Sequence, residues 1–309
     1  MTMPFVQFYT TQKCNMRCNH CYLASLRSKG VISYKNELTL QETIDAFQKL
    51  RNMGFSMVSF GGAEPTEKEE FGEIALSLHN QGYTLKIHTN GTNINDESAL
   101  IYKQCEFFEV RISLDGSNEE VNDFIRGDST YKKIIKGIKK GIEYGLPITI
   151  AVTISKYNVD DLPNIIDLAK ELDVKAVHSY LLIDKGRGID LTDYLPDDND
   201  KRKAKKIFQD KANQYHGIAK IANDNLPCAA GACYLELKQD GSINLYEDSH
   251  AYFSVGVSTI GNIFDQDIET KIKDALVNKK IPDCNNCKYY GNSLCPELDN
   301  YCFADIKFF

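Results

Sequence analysis

The chain has 309 residues, enough for one large domain and a small one. Its net charge is −7 and its pI about 5.5, with no basic stripe, so nucleic acid is not an expected partner. Apolar residues make up 42%, ample for a core, but no run nears the ~18 apolar residues of a membrane span, so no membrane partner is expected.

The first residues lack the charged start, apolar stretch and cleavage site of a signal peptide, so a cytoplasmic, reducing location is expected. In such a compartment the ten cysteines point to metal ligation rather than disulfides.

Residues 4–10 read as a first strand. The loop after it carries Cys14, Cys18 and Cys21 in Cys14-Asn-Met-Arg-Cys18-Asn-His20-Cys21-Tyr22. A [4Fe–4S] cluster takes four thiolates, so a local set of three leaves one iron open for a ligand. A zinc site and unrelated buried thiols are the competing readings.

Further strands are expected at 56–61, 84–90, 106–114, 147–154 and 174–183, all rich in Val, Ile, Phe and Thr. Helices fall between them. Thr39 and Glu42 form a capping box ahead of Leu40, Ile44, Phe47 and Leu50, and Gly54 stops that helix. A second helix is expected over 131–144, with Ile134, Ile135, Ile138 and Ile142 inward. Its Lys136, Lys139 and Lys140 are read as a solvated face. A third has Pro163 in its first turn, where a missing N–H costs nothing. Alternation of this kind implies a parallel sheet, and six units are too few for an eight-unit barrel.

In parallel sheets chemistry gathers at the carboxyl ends of strands. Four informative segments fall there: the Cys loop, Gly61-Gly62-Ala63-Glu64-Pro65, Thr89-Asn90-Gly91 and Ser113-Leu114-Asp115-Gly116. Two glycines let backbone approach a ligand, though Gly-Gly is also ordinary turn chemistry. The guanidinium of Arg126 suits a carboxylate; a surface ion pair with Asp123 or Asp128 is its plainer reading. Cys105, read as beginning strand four, is expected to be a buried apolar thiol.

Residues 184–225 read as a joint, with Gly186-Arg187-Gly188 a flexible exit from strand six and a bridging helix over about 199–219. Beyond it lie Cys228, Cys233, Cys284, Cys287, Cys295 and Cys302, a density at which metal would supply much of the folding energy. Asp240-Gly241 between Tyr234–Lys238 and Ile243–Tyr246 is a hairpin signal. Cys284-Asn-Asn-Cys287 on its own spacing reads equally as zinc.

The run CNMRCNHCY resembles the Cx3Cx2C loop of the radical S-adenosylmethionine (SAM) superfamily. That resemblance implies an α/β fold: a partial (β/α)6 barrel over 1–190, a linker over 191–225, and a small Cys-rich SPASM/twitch-like tail over 226–309. It implies a [4Fe–4S] cluster on Cys14, Cys18 and Cys21 whose open iron holds SAM, and reductive cleavage of SAM to a 5′-deoxyadenosyl radical. Gly61, Gly62 and Glu64 match the GGEP-like loop that binds the methionine ammonium, with Ala63 as a departure. His20 stands where the family places an aromatic group near the adenine, and packing is its expected role. Ser113 and Arg126, in SLDG…FIRG, match the pair that holds ribose and carboxylate, and Tyr22 and Asn90 fall in the same cofactor site.

The tail resembles SPASM/twitch modules through Cys228-Ala-Ala-Gly231, Asp240-Gly241, Gly261-Asn-Ile263 and the Cys284/Cys287 pair. It departs from them at Tyr246, where a Cys is usual, and in the spacing of its last cysteines. Six cysteines cannot fully ligate two clusters, so at least one auxiliary [4Fe–4S] cluster is expected. Glu247 matches a general base of sulfatase-maturing members; an exposed hairpin carboxylate is the alternative. The resemblance implies oxidative modification of a ribosomally made peptide, as a thioether or C–C cross-link or an epimerisation. A flavodoxin or ferredoxin would donate the electron. The rival substrate is a small molecule such as a sugar or cyclitol, and a non-catalytic metal-stabilised binding module is the remote alternative. Many peptide maturases carry a leader-binding domain, for which a barrel starting at residue 5 leaves no room.

Overall fold

A computed structural model describes residues 5–23, 36–221, 234–246, 257–278 and 304–307. Six parallel strands form its centre in chain order: β1 (Phe5–Tyr9), β2 (Met57–Gly61), β3 (Thr84–Thr89), β4 (Glu109–Ser113), β5 (Ile148–Ile154) and β6 (Ala176–Leu181). Helices α1 (Leu40–Asn52), α2 (Phe71–Asn80), α3 (Asp96–Gln104), α4 (Glu119–Arg126), α5 (Thr130–Glu143) and α6 (Leu162–Glu171) connect them. Helix α7 (Asp198–Gln214) follows, then β7 (Ile218–Ile221), β8 (Tyr234–Leu237), β9 (Ser242–Tyr246), β10 (Val257–Asn262), α8 (Ile268–Asn278) and β11 (Ala304–Lys307). All eleven strands share one sheet in the order β10-β9-β8-β1-β2-β3-β4-β5-β6-β11-β7. The expected hairpin forms as β8 and β9, and β8 pairs in parallel with β1.

The α/β alternation and all six expected strands are present. Three local expectations need correction. Cys105 does not open strand four: it caps the end of α3, and Glu106 at φ +49 turns the chain before β4 begins. The thiol is nonetheless buried. The bridging helix ends five residues early, because His216 at φ +52 and Gly217 turn the chain into β7. Its start is set by Asp197 and Asp200, which cap reciprocally. Gly186-Arg187-Gly188 is no loose exit but opens 3-10 helical turns over Gly186–Tyr194.

Each central strand has one face on the helices and one face polar. Val6 and Phe8, Val58 and Phe60, Leu85 and Ile87, and Val110 and Ile112 are buried in the core. There Phe47 of α1 meets Phe8 edge-on at 5.1 Å, and Phe71 of α2 meets Phe60 likewise at 5.1 Å. The residues between them are Gln7, Ser59, Lys86, His88, Glu109 and Arg111, all on the opposite face. A flat sheet would hold β1 and β6 roughly 24 Å apart at about 4.8 Å per strand. Gln7 of β1 and Tyr180 of β6 instead line one cavity of about 280 Å³, so the polar face is concave.

Helix α5 lies close under the loop after β3. Its buried face carries Gly137 and Gly141 beside Ile134 and Ile138, while Lys136 and Lys139 are exposed and Lys140 pairs with Asp96 and Glu143. A Cβ on Gly137 would stand 2.0 Å from the carbonyl oxygen of Gly91. We expect Gly137→Ala to lose about 1–3 kcal/mol in urea unfolding, because overpacking against backbone outweighs the better helix propensity of Ala.

Candidate active site

Strand β1 delivers the chain into the thiol loop, and neighbouring strand ends grip that loop at several points. Glu64 N–H donates to Lys13 O at 3.0 Å, and Asn90 Nδ2 to Asn15 Oδ1 at 2.7 Å. Asn19 caps the end of α4, its N–H donating to Ile125 O at 2.8 Å and its Nδ2 to Phe124 O at 2.6 Å. After β6, Arg187 donates from its backbone N–H to Cys21 O at 3.1 Å and from Nε to Cys18 O at 2.7 Å.

Cys14, Cys18 and Cys21 are part-buried and all line the 280 Å³ cavity. Burial and the other two thiols push the Cys18 thiol up to about 11. Three neighbouring thiolates in such a place call for a compensating cation. No three His, Cys, Asp or Glu side chains among the described residues converge tightly enough for a single metal ion. A multi-iron cluster, with one iron per thiolate, fits three part-buried thiols on one cavity.

The glycine loop meets the same cavity. Gly62 has φ +98, and a Cβ there would lie 2.5 Å from the Tyr9 ring; one on Gly61 would lie 2.4 Å from Gln7 Nε2. Gly62 therefore requires glycine, whereas at Gly61 the Gln7 side chain would have to shift. Glu64 does not line the cavity. Its buried carboxylate accepts from Thr89 Oγ1 and Thr66 Oγ1, each at 2.7 Å, and from Asn90 N–H at 2.7 Å. It is thus a strut fastening the glycine loop to the end of β3. Burial pushes its carboxyl above the usual carboxylate range, against the hydrogen bonds from Asn90, Thr66 and Thr89.

Asn90 and Ser113 line the cavity, and Tyr22 lies at its wall with 41% of its surface exposed. His20 lines it too. Burial lowers the imidazole to about 4, so it is neutral near pH 7 and suited to packing rather than proton donation. Arg126 is buried, and neither of the surface partners considered from sequence is its mate. Its Nε lies 2.8 Å from Asp115 Oδ2, an oxygen that also sits 3.4 Å from His20 Nε2. Asp123 instead accepts from Tyr131 N–H at 2.8 Å and Thr130 Oγ1 at 2.9 Å, at the start of α5.

Asp115 is the residue the sequence reading passed over. It is 0% exposed, and Oδ1 accepts from Thr153 N–H at 2.6 Å. Its only sequence signal was its place in Ser113-Leu-Asp-Gly at a strand's carboxyl end. Gln7, Tyr9, His88, Thr153 and Tyr180 also line the cavity; each sits mid-strand or at a strand end with no motif to mark it. Glu247 and Cys228, Cys233, Cys284, Cys287, Cys295 and Cys302 lie outside the described residues. No helix among the described residues is long and apolar enough to cross a membrane.

Residues 8–169 match the model of the radical SAM superfamily. Fe-coproporphyrin III synthase of Methanosarcina barkeri is 30% identical over 214 residues, covering 69% of this chain and 52% of that protein. Mycofactocin maturase MftC of Mycolicibacterium smegmatis is 32% identical over 188 residues, covering 60% of this chain and 46% of that protein. The chain thus matches about half the length of these curated relatives. Among solved structures, Streptococcus suis SuiB bound to its precursor peptide SuiA superposes with a TM-score of 0.69 at 16% identity, over 91% of this chain and 66% of that one. A structure of anSMEcpe with bound AdoMet and a peptide gives 0.69 at 19% identity, over 93% and 87%. The thiol loop and the glycine loop lie within the matched span, and the chain belongs to the radical SAM superfamily of enzymes.

Proposed function

We propose that this radical SAM enzyme oxidatively modifies a ribosomally made peptide, by a thioether or C–C cross-link or by epimerisation. The observation that carries the reading is one concave cavity walled by Cys14, Cys18 and Cys21, the Gly61–Ala63 backbone, Ser113 and Arg126. Cys14, Cys18 and Cys21 would hold a [4Fe–4S] cluster. The glycine loop, His20, Tyr22, Asn90, Ser113 and Arg126 would hold SAM, with Glu64 fixing the loop. Bound there, the two cofactors supply reductive cleavage of SAM to a 5′-deoxyadenosyl radical that takes a hydrogen atom from substrate. The chain's part is to orient and shield. Neutral His20 packs without competing charge, and the Asp115–Arg126 pair aims a guanidinium at the cavity wall.

The peptide assignment is supported by a relative named mycofactocin maturase and by fold neighbours solved with peptides. The tail would add at least one auxiliary [4Fe–4S] cluster from Cys228, Cys233, Cys284, Cys287, Cys295 and Cys302, with Glu247 as general base and a flavodoxin or ferredoxin as electron donor. A small organic substrate is the second reading, favoured by relatives named Fe-coproporphyrin III synthase and heme synthase.

The test is anaerobic iron–sulfide reconstitution of wild type and a Cys14→Ala/Cys18→Ala/Cys21→Ala variant. The variant should hold about four fewer irons per chain and form no 5′-deoxyadenosine. Equal iron in both would remove the basis of the proposal. Peptides encoded beside the gene, incubated with SAM and dithionite, should change in mass or stereochemistry. If SAM is cleaved and none of them changes, the substrate assignment passes to a small molecule.

A further inference from the structure

The thiol loop is gripped from the side of β6 by a segment that the sequence marked only as Gly-Arg-Gly. Gly186 has φ +60, and a Cβ on it would lie 2.3 Å from Cys21 O and 2.5 Å from Tyr22 O. Backbone therefore rests directly on backbone, in a conformation that favours glycine. That contact delivers Arg187 to the loop. Its backbone N–H and Nε satisfy the carbonyls of two of the three cysteines, at 3.1 and 2.7 Å. Its Nη2 is buried and makes no hydrogen bond. No carboxylate among the described residues forms an ion pair with it, in contrast to Arg126 with Asp115. The guanidinium brings a delocalised positive charge to the loop.

We propose that Arg187 is a charge-setting residue of the thiol loop, raising the reduction potential of the iron–sulfur cluster that the loop would hold. This rests on the radical SAM reading of Cys14, Cys18 and Cys21. The physical basis is that a cluster gains negative charge on reduction. A fixed, partly desolvated cation therefore stabilises the reduced form more than the oxidised one. Two glycine-flanked contacts would be a costly way to hold a side chain that only filled space.

The experiment is an EPR-monitored potentiometric titration of the reconstituted full chain, following the signal that changes when SAM is added. Arg187→Met removes the charge at similar length, Arg187→Gln removes it while keeping N–H donors, and Arg187→Lys keeps it. For the neutral variants the reduced-to-oxidised ratio at a fixed potential should fall about tenfold, which is about 59 mV downward for a one-electron couple. Arg187→Lys should stay much nearer to wild type. Clusters lost from both neutral variants but retained by Arg187→Lys would also support a charge requirement. A neutral variant with normal iron content and a wild-type potential overturns the inference. So does a Lys variant that shifts as far as Met, or one that loses the cluster, since each makes Arg187 a strut. A wild-type chain that takes up no SAM-responsive cluster instead sinks the functional reading beneath it.

Discussion

Asp115→Ala is expected to cost about 3–5 kcal/mol of stability in urea unfolding, because it strands the buried guanidinium of Arg126. The same carboxylate holds three elements at once. Oδ2 faces Arg126 at the end of α4 and His20 in the thiol loop, while Oδ1 accepts from Thr153 N–H at the end of β5. Asn122 and Asn158 fix its own backbone, at 3.2 and 2.9 Å. Asp115→Asn separates charge from shape, since the amide still offers an oxygen to Thr153 but no anion to Arg126. That variant should fold and bind SAM at least about tenfold more weakly, a loss of about 1.4 kcal/mol. Calorimetric titration of the reconstituted protein with SAM reads this directly. An Asn variant with wild-type stability and affinity would show that Arg126 needs no partner to be held.

The reach of the sequence can be judged on such residues. The parallel strands were legible because their helix-facing residues are Val, Ile, Leu and Phe, and because Gly54 and Gly145, both at positive φ, mark where helices α1 and α5 stop. The thiol loop, the glycine loop and Ser113 were legible because motifs fall at strand ends, and Arg126 because it stands in the FIRG that follows SLDG. Asp115 was quoted in its motif, yet only the fold shows that α4 returns Arg126 onto it. Glu64 was legible as part of the glycine loop, but that its carboxylate turns onto Thr66, Thr89 and Asn90 is shown only by the fold; sequence carries no sign of which way a side chain turns. The outer antiparallel pairing of β11 with β6 and β7 depends on contacts more than eighty residues apart in sequence, which no local pattern records.

The charged cluster on the polar face of the sheet, next to the cavity wall at His88 and Tyr180, is the least legible part. Along β3, β4 and β6 the concave face presents Lys86, Glu109, Arg111 and His178. Glu109 Oε1 accepts from Arg111 Nε at 2.8 Å and from Thr149 Oγ1 at 2.8 Å, and lies 2.7 Å from Arg111 Nη2 and 3.1 Å from His178 Nε2. Burial works against ionisation, but the His178 hydrogen bond and the charges of Arg111 and Lys86 outweigh it and hold the carboxyl well below the usual range. A depressed carboxylate lends stability above its unfolded value, near 4.3, and loses it as pH falls below that. Glu109→Gln should therefore cost about 3–5 kcal/mol at pH 7, and the gap from wild type should narrow at pH 3.5. Urea midpoints at the two pH values measure it, and a gap that is constant with pH would mean that shape rather than charge holds the cluster. Arg111 also bonds the Tyr180 hydroxyl, and Tyr180 lines the cavity. Removing the anion beneath Arg111 thus loosens a side chain on the wall that the substrate would meet, so a variant that still folds and cleaves SAM should release more 5′-deoxyadenosine per product formed.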